Sequence, residues 1–464
     1  MTVGLETLLQ PDKGQPATAL HLIDKTSLDA WLAGQPERVR QAVRAQGFKG
    51  GDAQLAILPG EKAHDWSAMV GIANGVAPGP WCLAKAAEQL PEGSYRVEGG
   101  MPGDAALGWL LAQYRFDRYR AEPSVKGPRV LLSGEPARIG ETVLIAQSTC
   151  LVRDLVNLPA SDLGPAELAE AAAAVADECG ATITITSGAK LADAYPMIHA
   201  VGAAATADRA PRLIELEWGD ARHPRVAIVG KGVVFDSGGL DIKNAAGMRL
   251  MKKDMGGGAH ALALARLIMK SRLPVRLHLL VPAVENAISG AAFRPGDILK
   301  SRNGLSVEVG NTDAEGRLVL GDALTRAAEG SPELIVDFAT LTGAARVALG
   351  PDLPAMFSNR DDLAADLSAA GEAVSDPLWR MPLWKPYKEM LSSDVADIGN
   401  ASDAPLAGAI TAALFLQEFV PAETAWAHLD TFAWRGAAKP GRPKGGDALG
   451  LRAVWQMMKS RYSG

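Results

Sequence analysis

The 464-residue chain has few cysteines and no HExxH motif. Its three cysteines, Cys82, Cys150 and Cys179, are an odd number, lie far apart and include no CxxC pair. This excludes a disulfide framework and a cysteine-ligated zinc site, and we expect the three side chains to be small and buried. Because none of the seven histidines falls in an HExxH motif, they do not form the helix-borne zinc site of many metalloproteases.

Long apolar runs and an excess of basic charge are also missing. No stretch of about 18 apolar residues is free of charged ones, so no membrane span is predicted. The first residues lack the basic and apolar segments of a secretory signal, and the expected location is the cytoplasm. The formal net charge of −6 argues against a broad nucleic-acid-binding surface. We therefore expect neither a membrane nor a nucleic-acid partner.

The composition is that of an ordinary globular protein, with 48% hydrophobic and 22% charged residues, and the length suits two domains. The N-terminal part is predicted to contain a strand at 54–60, a helix at 108–114 and a strand at 129–132. Apolar residues then recur at helical spacing from 136 to 157, and Leu158-Pro159 ends this helix. We therefore predict a small N-terminal α/β domain at 1–135. A larger C-terminal domain at 136–464 begins with the linker helix at 136–157.

After this helix, helix and strand patterns alternate along the chain. Residues 165–179 are rich in alanine and are followed by Gly180, which suits a helix and its C-terminal cap, and a second helix is predicted at 259–269. Strands are predicted at 182–185, 213–216, 226–230, 275–281, 334–339 and 425–430. Such alternation favours an α/β fold with a mixed, mostly parallel central sheet flanked by helices. In these sheets ligands bind at the carboxyl ends of the strands.

Most of the acidic, basic and glycine-rich chemistry lies between residues 230 and 318. Glycine-rich turns there carry four carboxylates, two lysines and one arginine: Asp236, Asp254, Asp313, Glu315, Lys231, Lys243 and Arg317. Several carboxylates that converge on one pocket repel one another unless cations share the space. Carboxylate oxygens are also the ligands that hard divalent cations prefer. The segment therefore predicts a metal site, and the number of carboxylates favours two ions.

Each of these residues also has a less specific interpretation. Gly230-Lys231-Gly232 looks like part of a phosphate-binding loop, but the glycine spacing is wrong and no Ser or Thr follows the lysine. Taken singly, Lys231 fits a surface lysine, Asp236 fits a turn residue and Asp254 fits a helix N-cap. A single metal site explains why all of them follow successive apolar segments.

The segment 311–318, Asn-Thr-Asp-Ala-Glu-Gly-Arg-Leu, resembles the signature octapeptide of the leucyl aminopeptidase family, the M17 dimetal exopeptidases also called cytosol aminopeptidases. Companion blocks in the order and spacing of that family are found at 230–232, 235–239, 242–243, 251–257, 339–344 and 426–430. The resemblance extends from residue 152 to the C-terminus. It implies a metal-dependent aminopeptidase that removes leucine and other apolar residues from the N-termini of peptides.

By this resemblance, five side chains hold two divalent ions, manganese or zinc, with magnesium or cobalt as alternatives. The ligands of the first ion are Lys231, Asp236, Asp254 and Glu315, and those of the second are Asp236, Asp313 and Glu315 with the backbone carbonyl of Asp313. Asp236 and Glu315 bridge the two ions. A lysine ligand must be neutral, which at pH 7 costs roughly 4–5 kcal/mol that the ions must offset.

The same resemblance assigns further residues to catalysis and substrate binding. Lys243 polarises the scissile carbonyl and stabilises the tetrahedral anion, and Arg317 holds a bicarbonate ion that acts as general base. The α-amine of the substrate binds a metal ion and Asp254, which restricts cleavage to the N-terminal residue. The residues expected to line the substrate pockets are Met251, Asn311, Ala314, Thr340, Leu341 and Gly343.

The family pattern also implies a homohexamer, built as a dimer of trimers, that acts on peptide substrates. An alternative is a peptidase scaffold with an additional DNA-binding or regulatory role. A dimetal phosphoesterase is disfavoured because such enzymes normally use histidine ligands. The histidine in the block at 426–430, His428, is expected to be structural.

Overall fold

The computed structural model describes residues 4–62, 64–73, 78–122 and 126–463. The chain forms two compact units, which consist of Met1–Cys150 with Ala437–Lys444 and of Leu151–Gly436 with Gly445–Gly464. The division falls within a long helix, Pro136–Asn157. The sequence-based boundary at 135/136, which puts this whole helix in the second domain, stays a prediction. No helix among the described residues has both the length and the hydropathy needed to cross a bilayer.

The first unit contains a six-stranded sheet. Its strands are β1 (Leu9–Pro11), β2 (Thr18–Ile23), β3 (Leu55–Pro59), β4 (Trp66–Gly71), β5 (Gly93–Val97) and β6 (Arg129–Ser133). Its helices are α1 (Leu28–Ala33), α2 (Glu37–Ala45), α3 (Ala84–Gln89), α4 (Ala105–Leu111) and the first part of α5 (Pro136–Asn157). The strand order is β1-β6-β5-β2-β4-β3, and every neighbouring pair is parallel except β3 and β4.

Three of these elements correspond to predicted ones. Strands β3 and β6 match the patterns at 54–60 and 129–132, and α4 overlaps the predicted helix but ends at Leu111. Tyr95 on β5 and Trp109 on α4 are both buried, and their ring centroids are 5.3 Å apart. This aromatic contact packs the helix against the sheet, since paired rings bury a large apolar area.

The second unit is larger and is built around a nine-stranded sheet. Its strands, with those of two smaller sheets, are β7 (Thr182–Ser187), β8 (Arg212–Trp218), β9 (Arg225–Gly230), β10 (Gly232–Asp236), β11 (Arg276–Asn286), β12 (Ile298–Lys300), β13 (Ser306–Glu308), β14 (Leu334–Ala339), β15 (Ala355–Ser358), β16 (Trp379–Arg380), β17 (Ile398–Gly399), β18 (Ala425–Asp430), β19 (Trp434–Arg435) and β20 (Gly445–Gly446).

Helices pack around this sheet. They are α6 (Pro165–Cys179), α7 (Gly188–Ala194), α8 (Pro196–Gly202), α9 (Ala245–Met248), α10 (Gly256–Lys270), α11 (Glu315–Ala328), α12 (Gly343–Leu349), α13 (Asp361–Ala373), α14 (Gly408–Gln417) and α15 (Leu451–Tyr462). Short 3-10 helices span Leu5–Thr7 in the first unit and Ala207–Arg209, Met251–Met255 and Lys385–Leu391 in the second. Helix α6 ends as predicted, because Gly180 adopts the left-handed conformation with φ of 67°.

The large sheet is mixed but parallel at its centre. Its order is β16-β15-β18-β14-β9-β11-β8-β7, with β10 also beside β11. Strands β18, β14, β9 and β11 are parallel, whereas β15, β8 and β7 join through antiparallel pairs. Helix α10 packs on β9 and β14, and α11 packs on β9 and β11. The predicted α/β class, with two domains and a mixed, mostly parallel sheet flanked by helices, is confirmed.

Strands β9 and β10 are two halves of one strand that is interrupted at Lys231. Val229 pairs with Leu280 and Gly232 pairs with Ala283, so the parallel register along β11 is kept across Lys231 and shifts only between Val233 and Phe235. Strand β14 pairs only with the first half, and at the end of this pairing the Lys231 N–H donates to the Phe338 carbonyl at 2.9 Å. The interruption therefore places Lys231 at the carboxyl end of β9, beside the end of β14, where β10 continues without β14 beside it.

Candidate metal centre

The N-terminus of helix α10 enters this gap between strands because it begins with three glycines. The Gly258 N–H donates to the Lys231 carbonyl at 2.7 Å. A Cβ on Gly257 would lie 2.1 Å from the Phe338 carbonyl oxygen, so only glycine permits this approach of helix to strand. Asp254 lies just before α10, in the 3-10 helix Met251–Met255, and is not the cap of α10, whose first flanking residue is Met255.

The first cluster of the site joins one amine to two carboxylates. Lys231 Nζ lies 2.7 Å from Asp254 Oδ2 and 2.8 Å from Glu315 Oε1, and none of the three side chains is more than 3% exposed. Burial lowers the pKa of Lys231, but the charges of Asp254 and Glu315 outweigh it and raise the pKa overall. Both named oxygens are buried, and apart from the Lys231 ammonium they have no hydrogen-bond partner among the described residues. They are the acceptors that a bound cation would use.

The second cluster consists of three carboxylates, Asp236, Asp313 and Glu315, whose ligand atoms all lie within 4.8 Å of one another. Burial and the charge of Asp236 raise the pKa of Asp313 to about 6. The same two causes raise the pKa of Glu315 to about 8. Carboxylates this close cannot all ionise without a compensating cation. The residues present therefore fit divalent ions held by hard oxygen ligands.

Lys243 lies against the second cluster. Its Nζ is 2.8 Å from Asp236 Oδ2 and also contacts Asp313 Oδ1. Burial lowers the pKa of Lys243, but the charge of Asp236 and the hydrogen bonds to both carboxylates outweigh it, so the pKa is raised. The lysine is therefore a fixed positive charge at the edge of the carboxylate cluster.

Hydrogen bonds from neighbouring residues orient the carboxylates. Asn286 Nδ2 donates to Asp236 Oδ1 at 2.9 Å, and Thr340 Oγ1 donates to Asp254 Oδ1 at 2.7 Å. Each bond leaves the second oxygen of its carboxylate directed towards a lysine. Partners of this kind fix the direction of ligand lone pairs and tune their basicity.

Glu315 and Arg317 lie in the first turn of helix α11. Gly316, between them, is required by a close approach, because a Cβ there would lie 2.6 Å from both Cε and Nζ of Lys231. Arg317 is buried and its Nη1 donates to the Asn400 carbonyl at 2.8 Å. Its Nε has no hydrogen-bond partner among the described residues. Burial lowers the pKa of Arg317 to about 10, so the side chain remains a cation with an unused donor.

Asn400 holds the loop that precedes α11 and was not predicted from the sequence. Its Oδ1 accepts from the N–H groups of Gly310 and Asn311 at 2.8 and 3.2 Å. Its Nδ2 donates to the carbonyls of Asn311 and Ala314 at 2.8 and 3.3 Å. The side chain is fully buried and all of these bonds span more than eighty residues of sequence. A single amide therefore fixes the loop that carries Asp313.

The clusters open into a cavity of about 510 Å³. Nine of the predicted site residues line it: Lys231, Asp236, Lys243, Met251, Asp254, Asp313, Thr340, Leu341 and Gly343. The other predicted site residues, Asn311, Ala314, Glu315 and Arg317, are not among the described residues that line it. Asn311 and Ala314 instead shape the loop through the bonds to Asn400 and through the Asp313 N–H, which donates to Asn311 Oδ1 at 2.7 Å.

Several residues of the cavity wall were not predicted, among them Lys253, Arg346 and Phe432. Lys253 is 5% exposed, and its Nζ lies 3.8 Å from Asp254 Oδ1 and 5.1 Å from the Phe432 ring centroid. Burial lowers the pKa of Lys253 to about 8. Arg346 lies over the same ring at 5.5 Å but is paired with Asp430.

The histidine and cysteine predictions can also be compared with the structure. His428 is buried, its Nδ1 lies 2.5 Å from Asp337 Oδ1, and it stacks on Phe357, so its role is structural as predicted. Cys82 and Cys150 are buried as expected, whereas Cys179 is only partly buried.

Two family models match the chain. The catalytic domain of the cytosol aminopeptidase family, M17, matches residues 150–455, and the N-terminal domain of M17 aminopeptidases matches residues 18–131. The second match adds the N-terminal part, where sequence reasoning found only a mixed pattern of helices and strands.

Individual relatives agree with these matches. A probable cytosol aminopeptidase of Syntrophotalea carbinolica is 42% identical over 369 residues, which cover 76% of this chain and 73% of that protein. The crystal structure of a cytosol aminopeptidase from Coxiella burnetii is 44% identical, with a TM-score of 0.92 over 98% of this chain and 99% of that one. The bottromycin maturation enzyme BotP in complex with Mn is 31% identical, with a TM-score of 0.85 over 96% of this chain and 100% of that one. The chain belongs to the cytosol aminopeptidase family, M17, and is a peptidase that hydrolyses N-terminal peptide bonds.

Proposed function

We propose that the protein is a dimetal aminopeptidase that prefers leucine and other apolar residues at the N-terminus of peptides. The observation that carries this proposal is the convergence of Asp236, Asp313 and Glu315 within 4.8 Å at the cavity. Lys231 and Asp254 extend the same ligand set on the other side of Glu315. The similarity to BotP, whose structure is described with Mn, supports manganese, and zinc, magnesium or cobalt are alternatives.

The first ion would be held by Lys231, Asp236, Asp254 and Glu315, and the second by Asp236, Asp313 and Glu315 with the Asp313 carbonyl. Bound divalent ions would supply Lewis acidity and lower the pKa of a water molecule, so that a nucleophile is available near neutral pH. Lys231 would bind as the free amine, so uptake of the ion would release its proton. The two buried oxygens that now face its ammonium become ligands in this arrangement.

Asp254 explains the restriction to chain ends. Its carboxylate is buried at the cavity wall beside Lys231. We assign it, together with the first ion, the free α-amine of the substrate, because an acylated nitrogen cannot bind in this way. An internal peptide bond brings no such amine to the site, so cleavage is confined to the first residue.

Lys243 and Arg317 act on the reacting groups. The Lys243 ammonium, at the mouth of the carboxylate cluster, donates to the carbonyl oxygen of the scissile bond and stabilises the tetrahedral anion. Arg317 offers a buried cation whose Nε is unused, which suits an anion such as bicarbonate acting as general base. Neither side chain is required to hold an ion.

Apolar selectivity follows from the remaining wall of the cavity. Met251, Thr340, Leu341 and Gly343 line it, and Asn311 and Ala314 belong to the Asp313 loop that Asn400 holds. A flexible thioether and small side chains leave room for a branched aliphatic side chain. This supports leucine as a preferred residue.

We also propose a homohexamer, a dimer of trimers, in the cytoplasm. The exposed side chains of Trp379 and Trp384, 58% and 55% exposed, support an association surface on the second unit. Light scattering that gives a fully active particle of 48.6 kDa at micromolar concentration would contradict the assembly.

The function is tested with the p-nitroanilides of leucine and of N-acetyl-leucine, each with added manganese. We expect hydrolysis of the free amine and none of the acetylated substrate, because acetylation removes the amine that would bind a metal ion and Asp254. Glu315→Ala is the matched inactive control, as it removes the carboxylate shared by both clusters. Equal hydrolysis of the two substrates by the wild type would exclude the proposed binding of the α-amine.

A further inference from the structure

Lys253 is a buried lysine on the cavity wall that the mechanism does not use. Its side chain is 7% exposed, and it is one of the residues that line the cavity. Among the described residues its ammonium donates no hydrogen bond, and the one carboxylate in ion-pair contact is Asp254, with Oδ1 at 3.8 Å. A buried ammonium that lacks a hydrogen-bonded anion pays most of the cost of desolvation without compensation.

The surrounding residues do not supply that anion. Asp254 is already engaged, since its Oδ2 lies 2.7 Å from Lys231 and its Oδ1 accepts from the Thr340 hydroxyl. The acid on the other side, Asp430, is paired with Arg346 and also accepts from the N–H of Thr342. The Phe432 ring, 5.1 Å from Lys253 Nζ, provides a weak attraction for the cation but no acceptor.

The position of Lys253 defines which part of a peptide it can reach. It is next to Asp254 both in sequence and in space, and under the proposed function Asp254 binds the α-amine of the substrate. A group that meets Lys253 therefore belongs to the N-terminal residue itself. The free C-terminal carboxylate of a dipeptide lies one residue further along the chain, roughly 3.3–3.6 Å more distant.

We infer that Lys253 is a specificity-determining residue that binds the side-chain carboxylate of an N-terminal glutamate or aspartate. The inference rests on the proposed function, because it uses Asp254 as the site of the α-amine. It adds acidic residues to the apolar ones that the enzyme removes. The carboxylate supplies the hydrogen-bonded anion that the buried ammonium lacks, and such charge-assisted bonds discriminate strongly against a neutral analogue.

The test compares the p-nitroanilides of glutamate, glutamine and leucine in the wild type and in Lys253→Met. Methionine keeps the length and the contact with Phe432 but removes the charge. Lys252→Met is the matched control, because the Lys252 ammonium donates to the Asn157 carbonyl at 2.6 Å and is not one of the described residues that line the cavity. Bound metal and thermal unfolding are measured for each variant. Inhibition by free glutamate and free glutamine gives a binding readout that does not depend on turnover.

We expect Lys253→Met to lower the ratio of kcat/KM for the glutamate over the glutamine substrate by about ten- to a hundredfold. Inhibition by glutamate should weaken by a similar factor, while the leucine substrate and inhibition by glutamine should change little. Lys252→Met should leave the ratio unchanged. An unchanged ratio in Lys253→Met, or an equal loss for all three substrates, overturns the inference.

Three further outcomes distinguish an error in the inference from an error in the proposed function. If Lys253→Met slows Leu-Gly but neither Leu-Gly amide nor the glutamate anilide, the lysine binds a C-terminal carboxylate and the assignment to the side chain is wrong. If the wild type hydrolyses none of the free-amine substrates, the proposed function itself fails. If the wild type hydrolyses the leucine substrate and only the glutamate-to-glutamine ratio is insensitive to Lys253, the inference alone fails.

Discussion

Replacement of Gly316 by alanine should disable the site by moving one side chain. An added Cβ would lie 2.6 Å from Cε and Nζ of Lys231 and 2.8 Å from its Cδ. Carbon atoms in contact are normally about 3.5–4.0 Å apart, so the lysine must retreat by about 1 Å. It has little room to do so, because its side chain is 3% exposed and its Nζ lies between Asp254 and Glu315.

The expected effect follows from that displacement. Metal ligands must lie within about 0.2 Å of their ideal distances, and a shift of about 1 Å in an active site costs roughly a hundredfold in rate. The helix itself should not suffer, since alanine is favoured over glycine in a helix by about 1 kcal/mol. Gly316→Ala should therefore remain folded, with weaker binding of manganese and a kcat/KM reduced about a hundredfold.

The measurements are calorimetric titration of the chelator-treated protein with manganese and hydrolysis of the leucine anilide at saturating metal. Gly290→Ala is the control, because a Cβ at Gly290 meets no atom within 4 Å. Manganese affinity and kcat/KM within twofold of the wild type in Gly316→Ala would refute the role given to Lys231.

Further predictions concern Asn400, the two catalytic cations Lys243 and Arg317, and the structural residue His428. In Asn400→Asp, a carboxylate oxygen replaces the amide nitrogen that donates to two loop carbonyls. We expect the free energy of unfolding, measured with urea, to fall by about 2–4 kcal/mol and activity to be lost. Lys243→Met and Arg317→Met should keep both ions but lower kcat by about 10²–10³, and metal analysis beside the rate assay checks this, since loss of metal in proportion to activity would contradict it. Burial lowers the pKa of His428, but the charge of Asp337 outweighs it and raises the pKa. The stability from this pair is therefore present below pH 6.5 and is lost as the pH rises through the raised pKa, so His428→Gln should flatten the fall in Tm above pH 6.5.

Much of the fold could be predicted because its strongest elements have strong local patterns. Helices α5 and α6 and strands β14 and β18 have the predicted limits. The two helices combine apolar residues at helical spacing with a proline or glycine shortly after the last residue, and the two strands are short segments rich in apolar residues. Helix α11 was missed, because its buried face includes charged residues such as Arg317 and Asp322 that disguise the apolar period.

The candidate site was predicted in composition but not in every contact. The signature blocks pointed to Lys231, Asp236, Asp254, Asp313 and Glu315, and the structure brings these residues together. The blocks do not describe the interruption of one strand at Lys231, which depends on the register along β11.

Residues outside the blocks escaped prediction for a physical reason. Asn400 stands in a polar loop, and its importance comes from hydrogen bonds to a segment more than eighty residues away. Lys253 lies within a block, but only the packing of the 3-10 helix against Phe432 shows that its ammonium is buried at the cavity. Contacts between distant segments leave no periodic signal in a single sequence.

In the proposed enzyme, Glu315 is shared by two divalent ions and activity depends on both. The most direct test is metal analysis of the wild type and of Glu315→Ala after dialysis against manganese and removal of free metal. We predict two manganese ions per chain in the active wild type, and loss of at least one ion together with all activity in the variant. Two tightly held ions per chain in Glu315→Ala would contradict the account.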